Sequence, residues 1–206
     1  MFAEGFWLRA IMSVSDTSAG IDFKKLAIAA CVFGFVLVPV HELGHVTCDW
    51  LTGHPATMSY ARDRLLSGAA PPFLGVLGGP LLPMGVAAVA LVFIFRGTNL
   101  SLLYPVAIQA SIERLALYLF GTLPSDERDL AELAGWNPGA FRTIFLLLEI
   151  SLLILVVVSM RRHKVGAKAA LVIFGVAIGC LVASAVFGIL VVERFVFPEQ
   201  YRIQFG

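Results

Sequence analysis

The chain has 206 residues, of which 59% are hydrophobic and only 14% are charged, and its mean hydropathy is +0.88. A water-soluble domain of this size would bury only part of such an apolar composition, so a lipid-facing exterior is the simpler expectation. The net charge of +1 indicates neither nucleic acid nor a strongly acidic partner, and we expect no nucleic acid among the partners. Three cysteines, Cys31, Cys48 and Cys180, lie far apart and indicate neither a disulfide framework nor a thiolate metal site.

Apolar runs predict about five membrane-spanning helices, because each run approaches the roughly 20 residues that a helix needs to cross hydrocarbon. A short interfacial helix is expected ahead of them, where Phe2, Phe6 and Trp7 provide an apolar face. The predicted spans are residues 26–46, 72–95, 100–120, 141–160 and 169–192. No internal repeat or linker divides the chain, so we predict one all-α domain over residues 1–206, embedded in a membrane as a multi-pass helix bundle.

The first half of the second span is rich in helix-breaking residues, which are Gly75, Gly78, Gly79, Pro80 and Pro83. This composition predicts a short reentrant or extended segment near residues 72–83. Such backbone is tolerated at membrane depth only where protein or a cavity covers it.

Charged residues also lie within the third and fourth predicted spans. We expect Glu113, Arg114 and Glu149 to face the bundle interior and to form structural pairs there, because charged side chains avoid lipid.

The stretch His41-Glu42-Leu43-Gly44-His45 lies at the end of the first span. Two histidines four apart share one face of a helix and can hold one zinc ion, with the neighbouring Glu42 as a general base. Ionisable residues at membrane depth usually mark function. The order of the spans brings this motif to the same membrane level as the start of the second span and the end of the third. The sequence therefore predicts a zinc site at that level.

A catalytic zinc site typically has three protein ligands and an open position for water. Residues 121–129 contain two candidates for the third ligand, Asp126 and Asp129. They are three apart, so one can bind the metal while the other supports it. The structural alternative is a helix capped by Ser125, with an acidic first turn that suits the helix dipole.

Three segments of the chain, in this order, resemble the site-2 protease family of intramembrane zinc metalloproteases. They are the His-Glu-Leu-Gly-His stretch at 41–45, the Gly-Gly-Pro-Leu-Leu stretch at 78–82, and a Leu-Pro element followed by an aspartate at 123–129. The resemblance covers residues 26–160, which would form the metal-site core. It implies that His41 and His45 bind one Zn²⁺ and that Glu42 is the catalytic base. It also implies that Gly78, Gly79 and Pro80 help to hold an extended substrate.

The third element departs from the family pattern. Gly121 stands where an asparagine is common, and neither candidate aspartate is followed by the usual glycine. Counting from Pro124 without a gap favours Asp129, whereas a shorter Ser-Asp form favours Asp126. We take Asp126 as the third ligand and keep Asp129 as the alternative.

The resemblance implies an endopeptidase that hydrolyses peptide bonds in or near transmembrane segments. Its partners would be the lipid bilayer, a transmembrane protein or peptide as substrate, and a possible regulatory membrane protein. One alternative is a different class of membrane zinc peptidase. The other is a non-catalytic, metal-binding membrane adaptor, a degenerate relative in which the metal only braces the helices.

Overall fold

The structure is a computed structural model that describes residues 20–68, 70–119 and 125–197. It is an all-α bundle with one small antiparallel hairpin, formed by β1 (Ala56–Met58) and β2 (Asp63–Leu65). The interfacial helix predicted for the first residues lies outside the described part of the chain. The helices are α1 (Phe23–Leu51), α2 (Phe73–Phe95), α3 (Leu100–Leu119), α4 (Ser125–Ala134), α5 (Pro138–Arg162) and α6 (Ala167–Phe187), which continues through a π-helical turn (Gly188–Glu193) into α7 (Arg194–Val196).

Local signals explain where two long helices begin. The Asp22 side chain accepts hydrogen bonds from the backbone N–H groups of Lys24 and Lys25 and so caps α1. Asn137 caps α5 by accepting from the N–H of Gly139, and Pro138 occupies the first helical position. Helix α1 extends five residues beyond the predicted end of its span, so the His-Glu motif lies inside the helix with more than a turn after it.

Helix α3 lies at the centre of the bundle and packs against α1, α2, α5 and α6. Its buried apolar side chains, Tyr104, Ala107 and Ile108, belong to the main hydrophobic core. It also buries Gln109 and Arg114. Because neighbouring helices surround α3, these polar groups meet protein instead of lipid.

The exterior of the bundle is strongly apolar. Large hydrophobic side chains are exposed on most of the long helices, including Val32, Val92, Leu147, Ile154 and Leu171. Within the described ranges, four helices are long and apolar enough to cross a membrane: α1, α2, α5 and the continuous segment from α6 through α7. The third predicted span, residues 100–120, forms helix α3, which is not among these four. Its polar residues, among them Gln109 and Arg114, lower its mean hydropathy.

The extended segment expected near residues 72–83 is not found, because α2 is helical from Phe73 and only Pro72 before it is extended. The glycines serve helix packing instead. A β-carbon at Gly44 would lie 2.2 Å from the carbonyl oxygen of Gly78, so α1 and α2 meet backbone to backbone. Pro80 and Pro83 are buried inside α2, where packing against neighbouring helices lets a helix tolerate proline.

Candidate metal centre

The two histidines of the motif face the bundle interior, and each has a partner for its Nδ1 atom. His45 Nδ1 lies 2.9 Å from the carbonyl oxygen of Gly75 on α2, and His41 Nδ1 lies 3.1 Å from Glu113 Oε1 on α3. A carbonyl or carboxylate oxygen can only accept, so both rings donate from Nδ1, and a ring in its neutral form then has its lone pair on Nε2. Zinc-binding histidines are oriented by the same kind of hydrogen bond.

The Nε2 atoms of His41 and His45 and the Oδ2 atom of Asp126 form a compact triangle. The two nitrogens are 3.1 Å apart, and Asp126 Oδ2 lies 3.1 Å from His41 Nε2 and 3.6 Å from His45 Nε2. Ligand atoms around a tetrahedral zinc ion, with bonds of about 2.0–2.1 Å, are separated by roughly 3.3 Å. Two lone pairs and a carboxylate oxygen repel one another unless a positive charge lies beside them, and in this structure the Arg114 guanidinium supplies one. The donor set fits a zinc ion in atom type and in spacing.

The structure separates the two candidate aspartates. Asp126 is buried beside the histidines, whereas the side chain of Asp129 is 42% exposed and lies 4.0 Å from Arg128 Nε. Of the two, only Asp126 belongs to the group of side chains whose ligand atoms converge with those of His41 and His45. Asp129 lies three residues further along α4.

The electrostatic surroundings keep Asp126 anionic. Burial alone raises the pKa of its carboxyl group, but hydrogen bonds from His41 and His45, when these rings carry a proton on Nε2, and the positive charge of Arg114 outweigh that effect. Together they hold the pKa of Asp126 well below its usual range. A permanently ionised carboxylate is the form that binds a metal ion.

Glu42, the predicted general base, lies beside this triangle and is almost fully buried. Its carboxylate, a nitrogen of His45 and the carboxylate of Asp63 lie within 4.8 Å of one another. Asp63 belongs to strand β2, so the hairpin contributes a charged group next to the base. No local pattern in the sequence points to Asp63, because its position depends on how the hairpin folds back against α1.

Glu113 and Arg114 form ion pairs inside the bundle, as expected, and these pairs place both residues beside the histidines. Arg114 Nη2 lies 3.0 Å from His41 Nε2 and also forms an ion pair with Asp126. The guanidinium thus contacts two of the atoms that would bind zinc, so metal binding requires it to turn away. Arg114 Nη1 lies 3.6 Å from the buried carboxylate of Glu127, which offers another partner. In the sequence, the signal for this placement was the adjacent acidic and basic residues Glu113 and Arg114, which lie towards the end of the third predicted span, at the membrane level of the histidines.

Glu149 also follows the structural expectation. Its carboxylate accepts hydrogen bonds from the backbone N–H groups of Arg114 at 2.8 Å and Leu115 at 2.6 Å. It therefore fastens α5 to the segment of α3 that carries Glu113 and Arg114.

The segment Gly78–Pro80 supports the histidines and does not present an extended edge. All three residues are buried in α2. A β-carbon at Gly79 would lie 2.1 Å from His45 Nε2, so the imidazole rests directly on the glycine. These residues were predicted to pair with an extended substrate. They are part of a helix, so they offer no extended backbone for that pairing.

We expect Gly79→Ala to lower zinc affinity by about 10- to 100-fold, the range typical of changes to groups that orient a metal ligand. The added methyl group would push the imidazole of His45 away from the triangle. Isothermal titration with Zn²⁺ measures the effect. Gly85→Ala is the matched control, because a β-carbon at Gly85 on the same helix meets nothing within 4 Å. Equal zinc affinity in the two variants would contradict the role of Gly79 in positioning the imidazole of His45.

No protein-family model matches the chain, and neither the curated proteins nor the solved structures contain a match to it. The functional assignment therefore depends on the geometry of the site and on the motifs themselves.

Proposed function

We propose that the chain is an intramembrane zinc metalloendopeptidase of the site-2 protease type, a multi-pass membrane protein that cleaves transmembrane substrates. The observation that carries the proposal is the convergence of His41, His45 and Asp126 from two helices far apart in sequence, with Glu42 alongside. Four helices that are long and apolar enough to cross a membrane support the membrane location.

The residues of the site have separate roles in this proposal. His41, His45 and Asp126 hold one zinc ion, while Glu113 and the Gly75 carbonyl orient the two imidazoles. When bound, zinc lowers the pKa of a water molecule and polarises the carbonyl of the scissile peptide. The Glu42 carboxylate takes a proton from the attacking water and returns it to the leaving amine. Burial of the site keeps bulk water away from this exchange.

A transmembrane substrate must unwind before its peptide carbonyls can be attacked, because they are hydrogen-bonded inside a helix. We assign the binding of the unwound segment to the β1–β2 hairpin, whose Asp63 lies beside Glu42. The outer edge of a strand in a two-stranded sheet can pair with a third strand. On β1 the carbonyl oxygen of Ala56 already accepts a hydrogen bond from Trp50 Nε1, so we assign the pairing to β2. This replaces the role that the sequence suggested for Gly78, Gly79 and Pro80.

A second candidate function is a non-catalytic membrane protein that binds partner helices. The contact of Arg114 with His41 and Asp126 favours it, because a guanidinium can supply the positive charge that the triangle needs. In that protein the cluster would brace the bundle and no metal would be required.

Metal analysis of the purified full-length protein, combined with cleavage of a membrane-anchored reporter in vesicles, tests the proposal. We expect one zinc per chain, loss of that zinc in His41→Ala, and reporter cleavage that chelators abolish. Wild-type protein that contains no zinc after purification in zinc-supplemented buffer, and that leaves the reporter intact, would contradict the peptidase and favour the second candidate.

A further inference from the structure

Two of the three cysteines meet where helices α1 and α6 cross. Cys31 Sγ on α1 and Cys180 Sγ on α6 are 3.1 Å apart, although 149 residues separate them in the chain. Cys31 is exposed on the outside of the bundle and Cys180 is half-buried. From the sequence alone the cysteines indicated no disulfide, because their distance along the chain says nothing about this crossing.

The backbone around the two thiols is held in place by contacts on both sides. One turn away, a β-carbon at Gly34 would lie 3.1 Å from the carbonyl oxygen of Cys180, so α1 and α6 approach closely. The buried amide of Gln109 on α3 donates to the carbonyl oxygens of Ala30 at 2.9 Å and Ala177 at 2.8 Å and so links all three helices. These contacts hold α1 and α6 together beside the two cysteines.

A disulfide requires an S–S distance of about 2.05 Å, so the sulfurs must approach by only about 1 Å. Small rotations of the two side chains provide a movement of this size without displacing either helix. We propose that Cys31 and Cys180 are a redox pair whose disulfide fastens α6 to α1. The proposal does not depend on the zinc site.

The oxidant we assign is dioxygen, an apolar molecule that can enter lipid and reach the exposed Cys31 thiol. Both S–H bonds break and one S–S bond forms, while two electrons and two protons pass to dioxygen and yield hydrogen peroxide. Helix α6 packs mainly against α1 and α3. A cross-link between residues so far apart restricts the unfolded chain strongly, so the oxidised protein should resist unfolding better than the reduced protein.

Thiol counting on the full-length protein in detergent tests this proposal. After exposure to air with copper phenanthroline, we expect the number of maleimide-reactive thiols in the SDS-denatured protein to fall from three to one. The protein should remain monomeric on a non-reducing gel, and its thermal unfolding midpoint should rise and return to the starting value with dithiothreitol. Peptide mapping should identify the linked pair as Cys31 and Cys180.

Cys48 provides the internal control, because it lies about 25 Å from Cys31 along α1 at 1.5 Å per residue. Cys48→Ser should form the same cross-link, whereas Cys31→Ser should keep both remaining thiols after oxidation. Three reactive thiols in the oxidised wild-type protein would overturn the proposal. So would a cross-link that involves Cys48, or one that forms only between two chains.

Discussion

Replacement of Glu42 by glutamine should abolish reporter cleavage while leaving zinc in place. Glutamine has nearly the same shape as glutamate but cannot accept a proton from water, and general-base catalysis typically contributes 10²- to 10⁴-fold to a rate. Glu42 lies beside His45 without belonging to the His41, His45 and Asp126 group. We therefore expect Glu42→Gln to reduce cleavage of a membrane-anchored reporter by at least 100-fold with an unchanged zinc content.

Glu132→Gln is the matched control, since Glu132 is exposed on α4 and its substitution makes the same chemical change away from the site. Its cleavage rate should equal that of the wild type. If Glu42→Gln cleaved the reporter as fast as Glu132→Gln, Glu42 would not be the base and the peptidase mechanism would fail. Loss of zinc from Glu42→Gln would instead give this carboxylate a role in holding the metal.

Asp126→Asn should release the zinc ion, and Asp129→Asn should not. The Asp126 carboxylate lies within 3.6 Å of both Nε2 atoms and is kept anionic, whereas Asp129 is partly exposed beside Arg128. A neutral amide is a much weaker zinc ligand than a carboxylate, so we expect the zinc content of Asp126→Asn to fall to near zero. Elemental analysis of the two purified variants measures this difference.

Circular dichroism must accompany this comparison, because Asp126 also pairs with Arg114 and its loss leaves that guanidinium with Glu127. Equal helical content in both variants would assign the loss of zinc to the missing ligand. Zinc retained by Asp126→Asn and lost by Asp129→Asn would mean that the register counted from Pro124 without a gap is the correct one. Zinc retained by both would remove the carboxylate from the site.

The helices were predictable because their signals are local. Apolar runs, the cap at Asp22 and the Asn137-Pro138 pair act within one or two turns, and helices form at all five predicted positions. The error near residues 72–83 has a physical cause that lies outside the segment. Glycines and prolines weaken an isolated helix, but here α1 packs on Gly78 and His45 rests on Gly79, and these contacts favour the helix.

The sequence by itself determined that the chain forms long apolar helices and that His41, Glu42 and His45 share one of them, because helical periodicity acts over four residues. Only the tertiary structure decided that Asp126, and not Asp129, lies against the histidines, and it brought Glu113, Arg114 and Asp63 to them. It also placed Cys31 against Cys180. Those neighbours are between 18 and 149 residues apart in sequence. Their contacts depend on how whole helices pack, and no local pattern of residues encodes that packing.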